Sequence, residues 1–245
     1  MGRSLQRVSS LCKLLLIFAP LGAASAAPLV LNQLVPFDAA PASRPDLAGP
    51  VIDESATEFS FFDFCCESAV RWTVSGSITS RVVRAADGTL DFYWQVTQHV
   101  EPERGGDPPW GVAELRLYDF FDPALRYEAG WIEGSGGYRP GTASVYEGGV
   151  VPFGDHTVLI TLGGKDAPQP SSWFFLDTDA RAYTRDATLE AWGQIWMHSG
   201  SNLVPTFAPV VPEPASWSLL LAGGVLMGWV RRSSRAASRA KGLPS

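Results

Sequence analysis

The stretch RWTVSGSITSRVVRAADGTLDFYWQVTQ, residues 71–98, constrains the fold more than any other part of the chain. Asp87-Gly88 is a turn dipeptide set between two extended runs. In the second run Leu90, Phe92, Trp94 and Val96 fall on one face, while Asp91, Tyr93, Gln95 and Thr97 fall on the other. That period of two belongs to a strand with one face on a core, and the pair of runs reads as a β-hairpin.

Similar runs recur along the chain. FSFFDF at 59–64 alternates weakly, and strands are expected at 112–118, 127–132, 143–146, 157–162, 172–176 and 188–197. Turn clusters separate them: GGDPP at 105–109, EGSGG at 133–137, YRPG at 138–141 and GGKDAPQP at 163–170. No amphipathic helical pattern interrupts the series. Eight or nine short strands without helical crossovers predict a single all-β domain, an antiparallel β-sandwich or jelly roll, over residues 57–200. Residues 27–56, rich in Pro and Ala, read as an irregular lead-in, and residues 201–210 as a linker.

Charge narrows the partners. The body, residues 27–210, carries 24 acids against 11 bases, a net charge of −13. Nucleic acid is a poor partner for such a surface, because phosphate binding needs clustered Lys and Arg. Cys65 and Cys66 are adjacent and lack the spacing of zinc ligands; a bridge between neighbours would be strained, and buried thiols or intermolecular pairing are the other readings.

Both ends carry targeting patterns. At the N-terminus Arg3, Arg7 and Lys13 precede the apolar run 14–21, and small residues at 24–26 follow. The order is that of a secretory signal peptide, residues 1–26, cut after Ala26. At the other end residues 215–230 are uncharged and precede Arg231 and Arg232, with a basic tail over 233–245. Sixteen residues at a helical rise cover roughly 24 Å, a short single transmembrane helix. Arg231 and Arg232 orient it, keeping the tail cytoplasmic and the body outside.

Val211, Pro212, Glu213, Pro214, Ala215 and Ser216, then a short apolar span, then the two arginines, resemble the PEP-CTERM sorting signal of exported bacterial proteins. The resemblance implies a partner, exosortase, a membrane enzyme that uses a cysteine nucleophile to cleave near the Pro-Glu-Pro segment. Pro212 and Pro214 hold the segment extended in any case, which suits an enzyme groove. VSGSITSRVV, GTLDFYWQV and SSWFFLDTDARAY are also similar to recurring segments of PEP-CTERM proteins whose β domain has no assigned activity. That likeness implies a β fold and brings no catalytic residues with it.

The residues themselves offer little chemistry. His99, His156 and His198 lack further ligands at suitable spacing, apart from Glu101 two residues after His99. EGSGG lacks the pattern around a nucleophilic serine. Asp119 with Asp122, or Asp177 with Asp179, would serve a hydrolase or a calcium ion only with further groups in place. Trp110, Trp131, Tyr138 and Trp173 border Gly- and Pro-rich loops and are candidates for stacking on an extracellular polysaccharide, although aromatics of a sandwich more often fill its core. No catalytic residue, metal or cofactor is assigned. The expectation is a non-enzymatic protein of the envelope or extracellular matrix, transiently anchored through residues 215–230 and processed by exosortase. A carbohydrate-binding module is the alternative, and a glycan hydrolase is less favoured.

Overall fold

The computed structural model describes residues 27–40, 49–65, 70–102, 111–147, 156–162, 169–195 and 198–210. The expected signal peptide, the apolar span 215–230 and the basic tail lie outside the described residues, as do Cys66 and Trp110. Within them the chain is all-β, without a helix. Its strands are β1 (Ala27–Pro28), β2 (Val35–Pro36), β3 (Asp38–Ala40), β4 (Val51–Cys65), β5 (Val70–Arg84), β6 (Leu90–Pro102), β7 (Glu114–Tyr118), β8 (Tyr127–Ile132), β9 (Pro140–Glu147), β10 (His156–Leu162), β11 (Phe174–Thr178), β12 (Ala182–Ile195) and β13 (His198–Val210).

Two sheets result. One runs β1-β8-β11-β6-β5-β4, with β3 also beside β8, and the other runs β13-β12-β7-β10-β9-β2. Every pairing is antiparallel except that of β3 with β8. The sheets share one core, in which Phe92, Trp94, Phe174 and Leu176 of the first meet Leu115, Leu117, Val158, Ile160 and Leu189 of the second. Phe120 joins them through the ring edges of Phe92 and Trp94, at 5.2 and 5.5 Å between centroids. One polar rung crosses this core: Trp94 Nε1 donates to Thr206 Oγ1 at 3.0 Å, and that hydroxyl lies 3.2 Å from Ser80 Oγ.

The hairpin read from residues 71–98 is present. β5 and β6 pair from Trp72 with Pro102 to Arg84 with Leu90. Gly88 adopts φ +86°, where a side chain would be strained. The turn closes through Gly88 N–H to the Ala85 carbonyl at 3.0 Å and Ala85 N–H to that of Thr89 at 2.9 Å, a type I turn followed by a left-handed residue. Leu90, Phe92, Trp94 and Val96 all face the core. The opposite face is less open than alternation implies. There Tyr93, Val83 and Phe175 form a second buried cluster, with Ile132 and Trp173 at its side.

The strand count and two boundaries differ from the sequence reading. The described residues form thirteen strands rather than eight or nine. The lead-in 27–56 is not irregular: β4 begins at Val51, and β1, β2 and β3 lace the open edge, touching the first sheet, then the second, then the first again. Leu29, Val35 and Phe37 are buried in the core, with Phe37 edge-on to Phe174 at 6.2 Å. Residues 201–210 are no linker either, since β13 is continuous to Val210 and buries Val204, Phe207 and Ala208. Both misreadings have one cause. Each segment carries prolines, and Pro28, Pro36, Pro205 and Pro209 all sit on edge strands, where a missing N–H costs the ladder little.

Candidate functional site

The glycine-rich segment after β8 is fixed by serines. Ser135 Oγ donates to the Ile132 carbonyl at 2.6 Å and accepts the Trp173 N–H at 2.8 Å. Ser171 Oγ accepts the Val96 N–H at 2.9 Å, and the Gln95 amide bonds the Ser171 carbonyl at 2.9 Å. Gly136 lies so close to the neighbouring chain that a Cβ would stand 2.1 Å from the Ser171 carbonyl oxygen. EGSGG is thus a held loop, and both hydrogen-bonding sides of the Ser135 hydroxyl are in use. That arrangement differs from a serine poised to attack.

Above this loop, at the end of β8 and β11 away from Tyr127 and Thr178, opens a pocket of about 550 Å³ lined by Trp131, Tyr138, Arg139 and Ser172 among glycines. Trp131 pairs across the sheet with Phe174 and leans on the main core, as does Tyr138. The Tyr138 phenol points to the Val96 carbonyl at 3.4 Å, and burial pushes its pKa well above the ordinary value. It stays a neutral donor. Trp173 does not join this pair. It lies on the opposite face of the sheet, beneath the Arg81 guanidinium 4.1 Å from its ring centre. The pocket can therefore offer two rings, a cation at its lip and hydroxyl and backbone groups.

A second cluster escaped the sequence reading. On the outer face of the second sheet Arg116 lies 3.2 Å from Glu114, 3.4 Å from Glu190 and 4.1 Å above the Trp192 ring. The buried Tyr118 hydroxyl donates to Glu190, and burial followed by that bond raises the phenol's pKa. Alternation along 112–118 places Glu114, Arg116 and Tyr118 together, but nothing local names Glu190 and Trp192 as their partners. With its guanidinium engaged on three sides, Arg116 fastens β7 to β12.

The remaining candidates are dispersed. His99 is exposed on β6 opposite Ser75, and Glu101 shares its face. The side chains of His156 and His198 lie outside the described set. Asp122 accepts the Ala124 N–H at 2.8 Å, and Asp179 accepts that of Arg126 at 2.9 Å, so both acids shape loops. Asp177 stands between Asp91 and Glu128 across three strands. Among the described residues no three His, Cys, Asp or Glu side chains converge as metal ligands.

The C-terminal end has a different character. Val210, the last residue of β13, pairs with Ala182 of β12, and the Ala180 carbonyl accepts the Leu90 N–H at 2.9 Å. Val210, the 85–89 turn and residues 179–181 therefore share one end of the sandwich. The PEP-CTERM segment follows Val210 at once. Among the described residues no helix is long and apolar enough to cross a membrane, and residues 215–230 lie beyond them. No curated protein and no solved structure matches the chain. A family described as the PEP-CTERM protein-sorting motif matches residues 210–236. Such a motif implies export and sorting at the membrane through exosortase, and this chain carries it at the exit of an edge strand: it is a PEP-CTERM domain-containing protein.

Proposed function

We propose that the protein is exported by a cleaved signal peptide, held at the membrane by residues 215–230 with its sandwich outside, and cut by exosortase near Val211–Ser216. It then serves the envelope or the extracellular matrix as a non-enzymatic protein. The match over residues 210–236 carries this reading. The order of parts supports it, since the Pro-Glu-Pro segment precedes a short apolar span and the arginines Arg231 and Arg232, a pair of charges that resists translocation. Replacing Pro212 and Glu213 together by Ala is expected to leave full-length protein in the membrane fraction. Normal release of that double variant overturns the proposal.

A second reading concerns the sandwich. The pocket of Trp131 and Tyr138 favours a polysaccharide ligand, because sugar rings stack on such side chains while hydroxyls and Arg139 take up polar contacts. Trp131→Ala is expected to weaken binding of a glycan selected on an array by roughly tenfold, the worth of one stacking contact. Equal binding by the variant excludes this pocket.

A further inference from the structure

We propose that the pocket of Trp131 and Tyr138 takes an acidic sugar, and that Arg139 reads its charge. This rests on the reading of that pocket as a glycan site, and it names which glycans the pocket admits. Arg139 is exposed at the rim, and no carboxylate among the described residues pairs with it. Arginines elsewhere are committed: Arg81 lies against Glu54, Arg116 against Glu114 and Glu190, Arg126 against Glu128 and Arg185 against Asp53. Acids outnumber bases 24 to 11 over residues 27–210, yet Arg139 keeps its side-chain N–H donors unspent. No Asp or Glu lines the pocket, and Glu133, at the start of the same loop, stays exposed outside the lining.

The pocket holds a second unspent group. Ser172 lines it and is 2% exposed, with its N–H on the Tyr138 carbonyl at 2.6 Å and its own carbonyl accepting from Ser171 Oγ at 3.0 Å. The hydroxyls of Ser135 and Ser171 are engaged, but that of Ser172 makes no hydrogen bond among the described residues. A buried hydroxyl left unmatched is costly, so it favours an occupant with a polar group to meet it. Indole, hydroxyl and guanidinium thus border one cavity. Trp131 suits the face of a sugar ring, Ser172 a ring hydroxyl, and Arg139 a uronate carboxylate or a sulfate ester, which a guanidinium grips through paired N–H bonds. The acids of the body repel a polyanion from afar, but at physiological ionic strength charge is screened beyond about 8 Å, and the cation nearest the ligand decides.

The test prints neutral, uronate-bearing and sulfated glycans on an array and probes it with the full-length purified protein. The best acidic binder and its carboxyl-reduced or desulfated form are then compared by titration calorimetry. Acidic glycans are expected to lead the array, and uronate against sulfate identifies the source of the anion. Arg139→Gln is expected to weaken the acidic binder about fivefold, as for a partly exposed ion pair, and to leave the neutralised form unchanged. An array led by neutral glycans, or a variant that loses nothing or loses equally with both forms, overturns the charge assignment. Trp131→Ala separates that failure from failure of the pocket. If it weakens neutral binders, the glycan site stands and only the role of Arg139 falls. If no glycan binds, or binding ignores Trp131, the glycan reading falls and takes the charge assignment with it.

Discussion

Two proline-bearing segments border the sandwich, and they hold it in different ways. Residues 27–40 make three rungs of two or three residues, alternating between sheets, and their grip is the burial of Leu29, Val35 and Phe37. Residues 198–210 form one thirteen-residue strand on one sheet, paired with β12 along most of its length, and add both Phe207 and a hydrogen bond through the core. The first segment is a lace over an open edge. The second is a structural member. The difference shows how proline works at a sheet margin: it limits how many ladder bonds an edge can make, while the neighbouring side chains decide how firmly that edge is seated.

Substitution can break this contrast. Phe207→Ala is expected to cost about 3 to 5 kcal/mol in urea unfolding of the purified protein, because a fully buried ring leaves a cavity where little can collapse. Phe37→Ala should cost less, about 1.5 to 3 kcal/mol, since it lies at the margin and its segment can readjust. Equal losses would erase the distinction between lace and member. Thr206→Val keeps the shape of the side chain and removes the acceptor for Trp94 Nε1. A cost of about 1 to 2 kcal/mol is expected, the penalty of a buried donor left unmatched, and a neutral result would show that the rung adds nothing to β13's hold.

What the sequence disclosed follows from how local each signal is. The 71–98 hairpin was legible because alternation and an Asp-Gly turn act over neighbouring residues. Trp94 was correctly placed inward, but its bond to Thr206, 112 residues on, has no local trace. Tyr93 faces outward as period two requires, yet it is buried, because Phe175 lies directly across from it and the two rings pack at 5.2 Å. The edge strands were missed because a proline's cost depends on which side of a strand is paired, and that is settled only by topology. Of the aromatic candidates, Trp131 and Tyr138 meet at one pocket, while Trp173, just before β11, lies on the opposite face of the sheet. Asp122 and Asp179 were weak candidates for a carboxylate pair and a calcium site, and their loop-shaping role shows only when their acceptor bonds are known. The sorting motif needed none of this, since its order is covalent.

The rung from Trp94 through Thr206 to Ser80 has one more consequence. A strand that slips by two residues restores every inward face, whereas a slip of one reverses them all. Apolar matter alone discriminates weakly between these sliding states. An indole N–H that finds its acceptor in one alignment and none in the next favours the first by the cost of a buried unmatched donor. The rung works as a key between the two sheets, matched only in the alignment they hold.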